Sequence, residues 1–209
     1  MPFIDPDFLS SEKNQVQRIL ITSADDSDVV KTSFELGKLL ARDRNPVLWV
    51  DGNLGEHSME EEANTALDNV LEGQLPITEL LKEKEGVVVL EGFSKYFFAE
   101  LSETKQYQLL QDLRNVYSNF NKVILTVDGK NPVLQQKWMN EAESIYLLFN
   151  CKNLFLNRTL SWLKENTQKT KGLIGIGKND QEVLLTYMRL KNILNEIPKL
   201  VLDIKEIAP

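Results

Sequence analysis

Arg18-Ile19-Leu20-Ile21-Thr22-Ser23-Ala24-Asp25-Asp26-Ser27-Asp28-Val29-Val30-Lys31-Thr32-Ser33 is the stretch that decides the fold. Residues 19–21 form a short apolar strand, and from Val29 onward Val30, Phe34, Gly37, Leu40 and Ala41 recur at helical spacing. The segment between is a strand-to-helix turn ending in Lys-Thr-Ser, which is where a phosphate-binding loop sits. Such a loop needs glycines, because backbone N–H groups reach phosphate oxygens only in conformations and at approaches that a Cβ forbids. This turn has none. Asp25, Asp26 and Asp28 stand there instead, and like charges so close together repel strongly in a partly desolvated site. The sequence therefore predicts weak or absent nucleotide binding and no cofactor.

Working outward, the helix covers residues 28–43, and Asn45-Pro46 forces a turn before a second apolar strand at residues 47–50. That is a βαβ start. Further apolar runs at residues 87–90, 123–127, 145–149 and 173–176 alternate with helical stretches. The most regular of these spans residues 102–120, where Gln106, Leu109, Leu110, Leu113, Val116, Tyr117 and Phe120 make a broad apolar stripe. Pro76 reads as opening a short helix that carries Ile77, Leu80 and Leu81, and Asn131-Pro132 opens another with a capping residue before an N-terminal proline. Helices at residues 154–166 and 180–196 and a last apolar run at residues 200–202 complete the pattern. It predicts an α/β, doubly wound, mostly parallel sheet of about six to seven strands with helices on both faces. Residues 1–17, with two prolines and several charges, read as an N-terminal arm, and residues 18–209 as a single P-loop-like domain. Ligands are expected at the carboxyl ends of the strands, the edge that holds Ser23, Asp51, Gly92, Asp128 and Asn150.

The run Ile-Leu-Ile-Thr-Ser-Ala at residues 19–24, then Lys31-Thr32-Ser33, a helix, and Pro46-Val47-Leu48-Trp49-Val50-Asp51-Gly52-Asn53-Leu54-Gly55 resembles the deviant Walker ATPases of the MinD/ParA superfamily over most of the chain. The resemblance implies that Lys31 and the hydroxyl residues after it, Thr32 and Ser33, hold the positions that touch phosphate and magnesium, and that Asp51 holds the position that orients water. All four read as vestigial here. The loop glycines and its first lysine are missing, and the span from Ser23 to Lys31 is one residue longer than the usual pattern. Thr126 stands where the family's Walker B aspartate closes its strand, with Asp128 two residues late.

Within the superfamily, Leu67-Asp68-Asn69-Val70-Leu71-Glu72-Gly73, Val89-Leu90-Glu91-Gly92, Glu100-Leu101-Ser102 and Leu109-Leu110-Gln111-Asp112-Leu113 look most like the tyrosine-kinase domains of bacterial polysaccharide export. The flagellar-number regulators are the second match, through the same Val70-Leu71-Glu72-Gly73 and a helix ending in Leu163-Lys164. The chain finishes Asp203-Ile204-Lys205-Glu206-Ile207-Ala208-Pro209, without the tyrosine cluster of the kinases or the lysine-rich amphipathic helix in which the regulators often end. The resemblance also implies dimerisation face to face across bound nucleotide. The acidic loop would then meet its own symmetry copy, so the nucleotide-sandwich homodimer is not expected.

A net charge of −7, from 24 basic and 31 acidic residues, disfavours a nucleic-acid partner, because that contact depends on neutralising phosphates. No apolar run approaches the roughly 20 residues that span a bilayer, and Met1-Pro2-Phe3-Ile4-Asp5 has no signal-peptide character, so a cytoplasmic location without direct membrane insertion is expected. The single Cys151 agrees with a reducing compartment. It has no histidine partner and reads as a small, partly buried residue.

The singled-out residues have plain readings too. Lys31 and Thr32 fit a solvent-facing first helical turn, while Asp51 and Asp128 fit turn chemistry at strand ends. His57, alone in an acidic loop, predicts no metal site. Tyr96, Phe97 and Phe98 cannot all face one core, which makes them a candidate protein-partner contact, in keeping with a membrane-associated assembly. The sequence thus predicts a non-catalytic interaction module in a cell-envelope process. The alternatives are an atypical active ATPase or kinase, or a regulator of flagellar or pilus placement.

Overall fold

The computed structural model describes residues 16–25, 29–41, 46–53, 66–90, 101–130, 132–194 and 196–207. Strand β1 (Gln17–Ser23) leads through the acidic turn into helix α1 (Val29–Ala41) and strand β2 (Val47–Asp51). The short helix α2 (Ala66–Leu71) and one 3-10 turn (Ile77–Leu80) precede a hairpin of β3 (Leu81–Lys84) and β4 (Val87–Leu90). Helix α3 (Glu103–Tyr117), β5 (Lys122–Val127), α4 (Pro132–Glu141), β6 (Ser144–Asn150), α5 (Asn153–Asn166), β7 (Thr170–Ile176), α6 (Asp180–Ile193) and β8 (Lys199–Val201) follow, with a final 3-10 turn at Ile204–Ile207.

The strands form one sheet in the order β3-β4-β2-β5-β1-β6-β7-β8. Every neighbouring pair is parallel except β3 and β4. The doubly wound, mostly parallel architecture is as read from the sequence, but there are eight strands rather than six to seven. The extra strand is β3: the short helix expected from Pro76 reaches no further than Leu81, and residues 82–85 carry no sequence signal for an element. Only Ile77–Leu80 turns, and the chain then runs extended through Lys82, Glu83 and Lys84 and reverses at Glu85-Gly86, both with positive φ (52° and 82°). That backbone is the two-residue hairpin turn whose twist matches its strands. The charged residues of β3 suit an exposed sheet edge, which they protect from pairing with another chain.

Side chains alternate between the two faces of the sheet. Leu20, Leu48, Val50, Val123, Leu125 and Val127 pack under α3 and α4 with Leu109, Leu113, Leu134 and Trp138. Leu147, Phe149 and Leu173 extend that layer beneath α5 and α6. On the opposite face, Ile19, Ile21, Val47, Trp49 and Ile124 meet Val29, Leu36 and Leu40 of α1 and Ile207 of the last turn. Within α3 the buried set is Gln106, Leu109, Leu113, Val116 and Tyr117, while Leu110 is only half-buried. The consequence for function is positional: the amino end of α1 stands at the carboxyl edge of the sheet, over β1, β2 and β5.

Candidate functional site

The acidic turn begins as a tightly anchored piece of backbone. Ser23, fully buried, donates its hydroxyl to the Asp25 carbonyl at 2.6 Å, and the Gly129 amide donates to the same carbonyl at 3.2 Å. A Cβ on Gly129 would lie 2.7 Å from the Ala24 carbonyl carbon and 2.8 Å from the Ser23 oxygen, so only glycine lets the two chains touch here. From the other face, Gln135 of α4 donates from Nε2 to the Thr22 hydroxyl (2.6 Å) and to the Ser23 carbonyl (2.8 Å). The Thr22 hydroxyl donates onward to the Val127 carbonyl at 2.8 Å, and Trp162 of α5 donates its indole N–H to Gln135 Oε1 at 3.0 Å. The base of the turn is therefore held by donors from β1, from α4 and from the loop after β5.

The ends of β2 and β5 are laced in the same manner. Asp51 stands in register with Thr126, and its Oδ1 accepts the Asn53 amide at 3.0 Å, closing an Asx turn. Between them Gly52 donates to the Thr126 carbonyl at 2.7 Å and accepts the Trp138 indole at 2.8 Å. A Cβ on Gly52 would sit 2.5 Å from that carbonyl oxygen. Asn53 Oδ1 accepts the Asp128 amide at 3.0 Å, and Asp128 Oδ1 accepts the Lys130 amide at 2.9 Å. Lys130 Nζ lies 3.9 Å from Asp128 Oδ2.

Asp25, Asp51 and Asp128 are thus brought to one edge, at the ends of three adjacent strands, and all are buried, with 1%, 7% and 4% of their surface exposed. Buried carboxylates persist only where donors replace water. Two buried polar atoms beside them, Asn53 Nδ2 and Thr126 Oγ1, have no hydrogen-bond partner among the described residues. Among those residues no group of three His, Cys, Asp or Glu side chains could hold a metal ion.

The Lys-Thr-Ser run divides on the helix surface. Lys31 is exposed, Thr32 is half-buried and Ser33 is fully buried. The Ser33 hydroxyl accepts the Trp49 indole N–H at 2.9 Å and donates to the Val30 carbonyl at 3.0 Å. Phe34 packs edge-on against the same indole, with ring centroids 5.8 Å apart. Ser33 is therefore engaged in the seam between α1 and β2, while Lys31 stands on the exposed side of the helix. Asp26, Asp28, His57 and the aromatic trio Tyr96, Phe97 and Phe98 lie outside the described residues.

Cys151, just past β6, is buried, and burial pushes its thiol above the ordinary range despite an opposing hydrogen bond with Thr186. A thiol held protonated is a poor nucleophile. No helix among the described residues is long and apolar enough to cross a membrane.

No protein-family model and no curated protein matches the chain. Solved structures do. Cobyrinic acid a,c-diamide synthase from Mycobacterium smegmatis, with bound ADP and magnesium, superposes at a TM-score of 0.68 with 16% identity, covering 90% of this chain and 85% of that one. MinD in the MinC:MinD cell division complex of Aquifex aeolicus gives 0.65 with 15% identity over 91% and 83%. A putative plasmid partition protein of Borrelia burgdorferi B31 bound to AMPPNP gives 0.65 with 13% identity over 92% and 88%. The fold is that of the MinD/ParA-type P-loop ATPases.

Proposed function

We propose that this chain is a pseudo-ATPase: a non-catalytic, MinD/ParA-like protein that serves as a regulatory or scaffolding module and acts by binding protein partners in the cytoplasm. One observation carries the reading. Where a phosphate-binding loop would offer glycine N–H groups, this chain has a glycine-free turn whose Asp25 carbonyl is tied to Gly129, beside the buried carboxylates of Asp51 and Asp128. A polyphosphate would meet negative charge there rather than a cradle. The likeness of residues 67–73, 89–92, 100–102 and 109–113 to the tyrosine-kinase domains supports a place in polysaccharide export.

The second reading is an atypical ATPase. It is favoured by the exposed Lys31 on the first turn of α1 and by the nucleotides held in two of the fold's solved neighbours. Calorimetry with magnesium-ATP decides between the two. A Kd above about 100 μM, weaker than roughly 5.5 kcal/mol, is expected, with Lys31→Ala changing neither stability nor cellular function. Tighter binding that Lys31→Ala abolishes would establish the second reading instead.

A further inference from the structure

We propose that the outer face of α6 docks an acidic amphipathic helix of a partner protein. The inner face of α6 is committed to the core through Val183, Thr186 and Leu190. On the other side Leu184, Leu185 and Met188 are 43%, 57% and 51% exposed. At about 100° per residue these three fall within an arc of about 100°, one continuous apolar stripe on a helix whose core contacts are already made. Lys191 borders the stripe on one side and Arg189 on the other. Alongside runs a groove of about 690 Å³ between α6 and the end of β6, lined by Cys151, Lys152, Gln181, Glu182, Leu185 and Arg189 among others.

The charge of this surface selects the partner. Glu182 is turned back into the helix cap, its Oε2 accepting the Lys178 amide at 2.6 Å, whereas Lys152 and Lys191 form no ion pair among the described residues. The acidic residues of α6, Asp180 and Glu182, stand in its first turn, while Arg189 and Lys191 lie towards its other end, beside the stripe. Carboxylates beside an apolar strip complement that pattern. A second copy does not, because a two-fold contact would set this patch, with its Arg189 and Lys191 border, against an equally basic-bordered patch. A bilayer does not either, since an interfacial helix buries a whole apolar face and α6 has already spent its own on the sheet. Leu184, Leu185 and Met188, at positions i, i+1 and i+4, make one apolar patch against which an amphipathic helix can pack. None of these residues belongs to the acidic edge, so the inference holds whether or not nucleotide binds there.

The test uses the full chain and a labelled peptide of about 18 residues with Leu on one helical face and Glu on the rest, its Lys counterpart, and phosphatidylglycerol vesicles. By fluorescence anisotropy the Glu peptide is expected to bind and the Lys peptide not to. Leu185→Glu and Met188→Glu should each weaken binding about tenfold or more, and Lys191→Glu measurably, as for interface anchors and their charged rim. All three positions are exposed, so the unfolding midpoint should stay unchanged, and a folded variant keeps the result interpretable. No binding of the Glu peptide at about 100 μM, equal binding of both peptides, or binding unaffected by Met188→Glu would overturn the proposal. So would Met188-dependent attachment to the vesicles, or a homodimer dissolved by Leu185→Glu.

Discussion

The indole N–H of Trp49 donates to the hydroxyl of Ser33 at 2.9 Å, across the seam between the sheet and the first helix. Ser33 follows Lys31 by two residues, about 200° around the helix, so the two cannot face the same side. Ser33→Ala would leave a buried donor unpaired and should cost about 1–3 kcal/mol in urea unfolding. An unchanged midpoint would mean that the bond contributes nothing.

Thr126 gives the opposite expectation. Its hydroxyl is buried with no partner among the described residues, in a strand that already favours a β-branched side chain. Thr126→Val keeps the shape and removes the unsatisfied group, and a gain of about 1–2 kcal/mol is expected. A loss of stability would show that the hydroxyl is bonded in solution.

Tyr117 supplies the pH dependence. Its ring is buried under α3, its hydroxyl has no partner among the described residues, and burial raises its ionisation well above the ordinary 10.0, helped by the charge of Glu141 and opposed by Arg18 and Arg114. A raised pKa in the folded state favours the neutral phenol, so its contribution is fully present below pH 10.0 and is lost as the pH climbs past that value. The loss should reach about 1.4 kcal/mol per pH unit for each such group. Tyr117→Phe should flatten the alkaline slope, leaving the part due to Tyr146, which burial also raises. Equal slopes for the two proteins would refute the assignment.

The association state follows from the acidic turn. A two-fold sandwich would press residues 25–28, three aspartates and no basic residue, against their own copy. Ser27→Cys is therefore expected not to cross-link to itself in solution. Efficient cross-linking together with a dimer by light scattering would contradict this.

The fold class was legible because its evidence is local. Apolar runs such as residues 123–127 and the stripe along α3 report strands and helices without knowledge of their neighbours. β3 escaped because an edge strand of Lys82, Glu83 and Lys84 has no apolar alternation to read, and its one signal was a turn of Glu and Gly. Ser23, Asp51 and Asp128 could be placed at the sheet's carboxyl edge from strand ends alone. The lacing that holds them could not, because Gln135 reaches Thr22 from 113 positions away and Asn53 meets Asp128 from 75. Such contacts exist only once the sheet order is known, and nothing in the residue types announces them.

The chain has three tryptophans, and each donates its indole N–H into this edge: Trp49 to Ser33, Trp138 to the Gly52 carbonyl and Trp162 to Gln135. Trp49 is on a strand of the sheet, while Trp138 and Trp162 come from two helices on one face. The protein is in effect labelled already. Its ultraviolet emission comes mainly from three fluorophores fastened to the same few strand ends, so a ligand, partner or substitution that loosens that edge would report itself as a shift in colour, with no dye attached.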